Sequence, residues 1–380
     1  MPEDQEVHRG LEGVIVAETK IGFVDGQNGR LVYRGYDIET LVNNSTYEET
    51  SYLLINGNLP DRAKLSGYLA ELKTRRKVPG KVLDFIDDYA GTSHPMSDLR
   101  SALSVLGSMD KDTVMPNLEK QKSMGIDVIA RTPVLVAAIK RKWEGKKIVE
   151  PSEDLGFSAN FLYMSNGSKP TKEQEKVMDT CLILHADHGS NASTFSSLVT
   201  ISTLSDIYSA VTSGIATLKG PLHGGANELA LETIKKVGSP DNAEKVIGDM
   251  LARKEKVMGF GHRVYKVYDP RARILKEFAR SITKKSGKDN LFATAEAMEK
   301  AMINKVGGKG IFPNVDFYSG MVYESLGFQD NIFTPIFAVS RASGWIARSL
   351  EYLADNRLFR PKAKYTGETG PREYIPLDKR

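Results

Sequence analysis

Four of the six histidines in this 380-residue chain fall between His185 and His262. They lie in three segments: LHADHGSNAS (Leu184–Ser193), KGPLHGGANE (Lys219–Glu228) and MGFGHRVYKVYDPRAR (Met258–Arg273). A fourth segment, FPNVDFYSG (Phe312–Gly320), places Asp316 between a proline and a glycine. Histidine is the side chain most readily tuned to give or take a proton near neutral pH. Histidines in glycine-bounded turns, followed by a carboxylate in another turn, read as a site for proton transfer at carbon or oxygen.

Each residue has a chemical reading and a structural one. His223, between glycines and just before an expected helix, would stay neutral at the positive end of the helix dipole and donate a hydrogen bond to an oxyanion or enolate. It could equally cap that helix or sit in the core. His262 stands near Arg263, Lys266, Arg271 and Arg273. Such a setting suits polarising the carbonyl of an anionic substrate better than binding a metal, and its structural alternative is a solvated basic surface. Asp316, among apolar neighbours, would have a raised pKa and act as a base, or it would serve as a helix N-cap. His185 and His188 share a face if their segment is helical, one as ligand donor and one as support. Arg341, in FAVSRASGW, needs an anionic partner if buried and otherwise snorkels at the core edge.

The elements that must hold these residues are mostly helical. Thr171 and Gln174 form a capping-box pattern that opens a helix through Leu184. From Phe195 to Leu218 the apolar spacing is helical. Ala226–Val237 reads as a helix stopped by Gly238, and Ile332–Asp355 as a long apolar one. Before residue 40, Val14–Ala17, Ile21–Val24 and Arg30–Tyr33 read as short strands around Asp-Gly and Asn-Gly turns. The tail Phe359–Arg380 reads as extended. The lysine runs Lys73–Lys77 and Lys140–Lys147 read as solvated helix faces, and His94 as a turn or helix start.

Bulk composition is that of a globular protein, 41% hydrophobic and 26% charged, long enough for two domains. A formal charge of +4 is too small to imply nucleic acid and suits an anionic small molecule. Cys181, the single cysteine, leaves no intrachain disulfide or thiolate cage. The acidic start, MPEDQEVHRG, has neither a secretory nor a transit pattern, and no run approaches the ~18–20 apolar residues of a membrane span. The expectation is a cytoplasmic protein.

Taken together the segments resemble the citrate synthase family, which includes the 2-methylcitrate synthases. The resemblance runs in order from GLEGVIVAETKIGFVDGQNGRLVYRGYDIETL at residues 10–41, through the four segments above and AVSRASGW, to RLFRPKAKYTG. It implies a mainly α-helical two-domain fold with small N-terminal β-hairpins. Residues 1–222 and 323–380 would form a large dimer-packing domain, and 223–322 a small domain that closes over the substrates. It implies a catalytic set of His223, His262 and Asp316 that condenses acetyl-CoA with oxaloacetate through an enol(ate) and citryl-CoA. His188, Arg271, Arg341 and Arg360 would bind oxaloacetate, with Arg360 supplied by the partner of a homodimer. Coenzyme A, a co-substrate and not a resident cofactor, would lie along Lys256, Val257, Met258 and Gly259, near Lys266 and Asn314. No metal is implied. One departure is Gly189 after His188, where many relatives carry Glu. The short N-terminus resembles the dimeric archaeal and Gram-positive form.

Three other readings compete. The same chemistry with propionyl-CoA gives 2-methylcitrate, as a sole activity or in a bifunctional enzyme, and a single methyl shifts discrimination by only about 1–3 kcal/mol. A metal-binding protein would use His185, His188 and Asp187. A non-catalytic CoA-binding module would have no need of the His223, His262 and Asp316 set.

Overall fold

The computed structural model of the protein describes residues 7–380. The acidic start read as lacking a targeting pattern falls, through residue 6, outside the described residues; His8 is exposed. An antiparallel three-stranded sheet comes first: β1 (Gly22–Asp25), β2 (Arg30–Tyr33) and β3 (Tyr36–Asp37), with Gly22 opposite Tyr33 and Val32 opposite Asp37. Sixteen α-helices follow among the described residues. The first seven are α1 (Ile38–Asn44), α2 (Tyr47–Asn56), α3 (Arg62–Arg75), α4 (Gly80–Tyr89), α5 (Pro95–Ser108), α6 (Leu118–Trp143) and α7 (Phe157–Asn166). Then come α8 (Lys172–His185), α9 (Ala192–Ser202), α10 (Ile207–Leu218), α11 (Ala226–Val237) and α12 (Ala243–Ala252). The last four are α13 (Pro270–Lys285), α14 (Asp289–Val306), α15 (Val315–Ser325) and α16 (Phe333–Ala354). None of these helices is long and apolar enough to cross a membrane.

The mainly α expectation holds, and several elements form for the reasons read from the sequence. Both halves of the Thr171–Gln174 capping box are made at the start of α8. α11 spans Ala226–Val237 and ends on Gly238 at φ 76°. α16 is buried without interruption from Phe333 to Leu350, the condition of a helix that is apolar all round and forms the centre of a core. It packs on α2, α6, α8, α9 and α10. Helices α11 to α15 pack chiefly on one another, with α15 against both α11 and α13.

Other expectations need correction. Val14–Ala17 forms no strand, because its β-prone residues find no pairing partner. The periodic run Phe195–Leu218 is two helices: Leu204 adopts φ 66° and Asp206 caps a fresh start, its carboxylate accepting the Ser209 N–H at 2.9 Å. His185 and His188 do not share a helical face, since α8 ends at His185. Lys140 is not solvated: it is 2% exposed, its ammonium 2.7 Å from Glu144 and held by the Ser165 carbonyl. Cys181 is fully buried, and His94 caps α5 by accepting the Met96 N–H, both as read.

The small sheet has a positioning function. The turn after β1 docks on the His262 loop, where the Lys266 N–H donates to the Gly26 carbonyl at 3.0 Å. From β2, the Tyr33 hydroxyl donates to the Asp187 carbonyl at 2.7 Å and so fixes the loop carrying His188.

Candidate active site

Loops set His188 and His262 ring against ring, the loop before α11 sets His223 against Ser193 at the start of α9, and Asp316 lies in the first turn of α15. The first loop, Ala186–Asn191, joins α8 to α9 and carries His188. Gly344 of α16 lets it approach, because a Cβ there would lie 2.2 Å from the Ala186 carbonyl oxygen. Asp187 is fully buried and holds Arg348 through two bonds of 2.7 Å. His188 is 9% exposed, with Nε2 3.2 Å from the Tyr265 hydroxyl. Its ring centroid is 5.1 Å from that of His262, whose own ring is 4.8 Å from Tyr265.

The second loop, His262–Asp269, is tied to the start of α15. The Gly261 N–H donates to Phe312 O, the Asn314 N–H to Gly259 O, and Phe260 bridges Pro313. Gly259 sits at φ 83°, and a Cβ there would meet Phe317 at 2.9 Å; only glycine permits this contact. His262 and Asp316 therefore share one rigid seam. The N-cap of α15 is Asn314, whose side-chain oxygen accepts the Asp316 N–H at 3.0 Å while its amide donates to Gly261 O at 2.9 Å. Asp316 thus does not cap the helix, and no protein group among the described residues hydrogen-bonds its carboxylate.

Hydrogen bonds assign the proton on two rings. His262 Nδ1 accepts the N–H groups of Val264 and Tyr265 at 2.9 and 3.1 Å. Backbone N–H groups only donate, so the neutral imidazole carries its proton on Nε2. His223 Nε2 accepts the Ser193 N–H at 3.3 Å and lies 2.8 Å from the Ser193 hydroxyl, which in turn receives the Trp345 indole N–H. By the same logic the His223 proton sits on Nδ1. Burial lowers both pKa values to about 4, with Arg271 acting also on His262 and Arg341 on His223. Both rings are neutral N–H donors at pH 7. Burial raises Asp316 to about 6, against the pull of Arg271 and Arg341.

The arginines differ from one another. Arg271 is 3% exposed and already paired: its guanidinium donates to both oxygens of Asp269 at 3.0 and 2.8 Å. Arg341 is 1% exposed and has no carboxylate partner; its Nε donates to the His185 carbonyl at 2.6 Å and its guanidinium lies 4.6 Å above the Phe337 ring. Burial lowers it to about 10, so it remains charged at neutral pH. It is therefore a core cation, not a snorkelling one. Burial first, and then the charges of Arg271, Arg341 and Arg348, hold His188 well below the ordinary histidine range. A buried guanidinium without an anion is costly, and a negatively charged ligand beside Arg341 would relieve that cost.

Not every expected residue is in this cluster. His185 is core: fully buried, Nδ1 2.8 Å from the Cys181 carbonyl, its ring edge-on to Phe337. Arg360 is exposed, its guanidinium donating only to Pro361 O at 3.4 Å, while Phe359 beside it is anchored between Phe195 and Tyr352. Lys256 and Lys266 are exposed, Met258 is half-buried, and Val257 and Gly259 are buried. No group of three or more His, Cys, Asp or Glu side chains disposed to hold a metal occurs among the described residues.

Sequence reasoning missed Ser193, Tyr265, Trp345, Asp269 and Arg348. Only Asp269 carried a usable signal, as a carboxylate before the Pro-Arg that opens α13. Replacing Arg348 by Met leaves Asp187 charged in a dry site. Urea unfolding is expected to show a loss of about 3–5 kcal/mol, with a smaller loss once Asp187→Asn is added. Equal losses in the single and double variants would show that the pair carries no coupling.

Residues 10–362 match the family model described as citrate synthase, C-terminal domain. The citrate synthase of Deinococcus radiodurans is 46% identical over 95% of this chain and 96% of its own length. A 2-methylcitrate synthase of Shewanella oneidensis is 38% identical over 98% of this chain and 97% of its own. Among solved structures, the citrate synthase of Thermoplasma acidophilum, in a ternary complex with carboxymethyl coenzyme A and oxaloacetate, superposes with a TM-score of 0.94. It is 36% identical over 99% of this chain and 100% of that one.

Proposed function

This chain belongs to the citrate synthase family, and we propose that it condenses acetyl-CoA with oxaloacetate and water to give citrate and CoA. The observation that carries the reading is the complementary state of three groups. Asp316 is a carboxylate with a raised pKa and no hydrogen-bond partner, and His223 and His262 are neutral donors with fixed tautomers. Asp316 removes a proton from the methyl carbon of the thioester. His223 Nδ1–H stabilises the charge that develops on the thioester oxygen. The new carbon nucleophile attacks the oxaloacetate carbonyl, and His262 Nε2–H polarises that carbonyl and protonates its oxygen. Water then hydrolyses the citryl-CoA thioester. Imidazole N–H donors and guanidinium groups supply the electrostatic stabilisation, and no step calls for a metal.

Arg341 and Arg271, beside His188, receive the carboxylates of the keto acid. CoA lies along Lys256–Gly259, with Lys266 near a phosphate and Asn314 shaping the wall beside the pantetheine arm. Residues 223–322 act as the small domain that closes over both substrates, and the remainder as the large one. Thiol release with oxaloacetate in EDTA tests the activity: acetyl-CoA should turn over faster than propionyl-CoA. A preference for propionyl-CoA would move the assignment to 2-methylcitrate synthesis, the activity named for the Shewanella relative.

The active unit is a cytoplasmic homodimer in which Arg360 completes the partner's site. The exposure of Arg360, next to the well-anchored Phe359, supports this. The inactive variants Arg360→Leu and His223→Ala should complement one another. A hybrid dimer holds one doubly damaged site and one intact site, so random exchange should restore up to about one quarter of wild-type activity. Hybrids that form without recovering activity would place Arg360 in its own chain's site.

A further inference from the structure

We propose that the cavity between α3, α6 and the segment entering α7 is a second binding site, for a small apolar α-amino acid in its zwitterionic form, and that its occupancy is felt at Arg341. The cavity is about 290 Å³, at the small end of ligand pockets. Its walls are apolar, with Leu69, Leu72, Pro133, Val134 and Met164 among them. Five charged side chains also line it, Glu48, Lys73, Arg76, Glu153 and Asp154; Arg76 and Glu48, of opposite sign, are the most buried of them, and each has bonding capacity to spare.

Arg76 is the first. Its guanidinium is 12% exposed, and its buried Nε–H has no partner. NH2 donates to Ser152 O at 2.8 Å, while NH1 reaches only Leu155 O at 3.5 Å. Its nearest carboxylate, Glu153 at 3.4 Å, is 73% exposed and shared with Lys73, so an incoming anion can displace it at little cost. Glu48 is the second. It is 8% exposed, one oxygen accepts the Phe157 N–H at 2.9 Å, and no protein group among the described residues bonds the other. A simple anion would satisfy Arg76 but crowd Glu48, and a simple cation would do the reverse. A molecule carrying an ammonium and a carboxylate close together, with an aliphatic side chain for the walls, serves both.

The same residues lead to the active site. Phe157, held by Glu48, packs its ring 4.9 Å from Tyr47. Tyr47 is fully buried, and its hydroxyl donates to the carbonyls of Val339 and Ser340 at 3.0 and 2.9 Å. Those carbonyls immediately precede Arg341, and close packing leaves no slack to absorb a shift of Phe157.

Calorimetric titration of the full-length protein with L-leucine tests the site. The comparison ligands are 4-methylpentanoate, which lacks the ammonium, and 3-methylbutylamine, which lacks the carboxylate. L-Leucine should bind saturably below about 10 mM, with both analogues at least about tenfold weaker. Glu48→Gln, which keeps the acceptor for Phe157, and Leu69→Glu, at a residue already 41% exposed, should each weaken it by about tenfold or more. Absence of saturable binding, equal binding of either analogue, or undiminished binding to Leu69→Glu would overturn the site. The coupling arm rests on the reading of Arg341 given above. At saturating L-leucine the oxaloacetate KM should change by about twofold or more in the wild type and not in Leu69→Glu. Binding with an unchanged KM would overturn the coupling while leaving the site standing.

Discussion

Asp316→Asn is expected to lose about 10²–10⁴-fold in condensation rate while keeping its fold and its affinity for oxaloacetate. Of the three groups proposed for the chemistry, the carboxylate alone is free to take a proton from carbon, because His223 and His262 are committed as donors by the N–H groups that occupy their other nitrogens. The sign of the stability effect separates lost chemistry from misfolding. A carboxyl raised by burial from 3.8 to about 6 favours the fold while protonated. That contribution is complete below the unfolded pKa and is lost as pH rises through about 6. At pH 7 the wild type therefore holds an unfavourable buried charge, and the Asn variant should melt at a higher temperature. In the wild type, the acid limb of kcat/KM should fall as pH drops through about 6, where the base becomes protonated. The histidines, near 4, titrate too low to set it. Near wild-type turnover in the purified variant, or an acid limb near 4, would remove Asp316 from the role of base.

Arg341→Leu and Arg271→Leu should both raise the oxaloacetate KM far more than the acyl-CoA KM. Loss of a charge-assisted contact is worth roughly 2–3 kcal/mol, or one to two orders of magnitude. Their stabilities should part company. Arg341 has no protein carboxylate, so its removal relieves a buried charge and the melting temperature should hold or rise. Arg271 neutralises Asp269, which is 1% exposed and also accepts the Val315 N–H that opens α15. Its removal should cost about 3–5 kcal/mol of stability. Urea unfolding beside steady-state kinetics checks both. Equal effects on the two substrates would contradict the division of roles, and equal stabilities would contradict the pairing.

The tertiary structure changed the meaning of several residues that looked alike in sequence. His185 and His188 stand three apart in one motif, yet one ends a helix inside the core and the other lies in the loop that faces His262. Arg271 and Arg341 are both buried, but one arrives with its counter-ion two residues away and the other with none. Ser193, Trp345 and Arg348 gave no local signal, because their partners His223, Ser193 and Asp187 are brought near only by tertiary packing.

By itself the sequence determined the helical class, the capping box of α8, the glycine stop of α11 and the long apolar helix α16. These follow from local propensity and periodicity, which are properties of contiguous residues. It also determined the family, because ordered segments spread over nearly the whole chain must match together. What only the tertiary structure decided is the protonation of the site. The tautomers of His223 and His262 depend on backbone N–H groups that the folded loops supply. The raised pKa of Asp316 depends on partial desolvation by residues of distant elements. The free charge of Arg341 depends on which carboxylates the fold spends elsewhere. Each is an electrostatic property of surroundings assembled from residues far apart in the chain, and no local pattern encodes it.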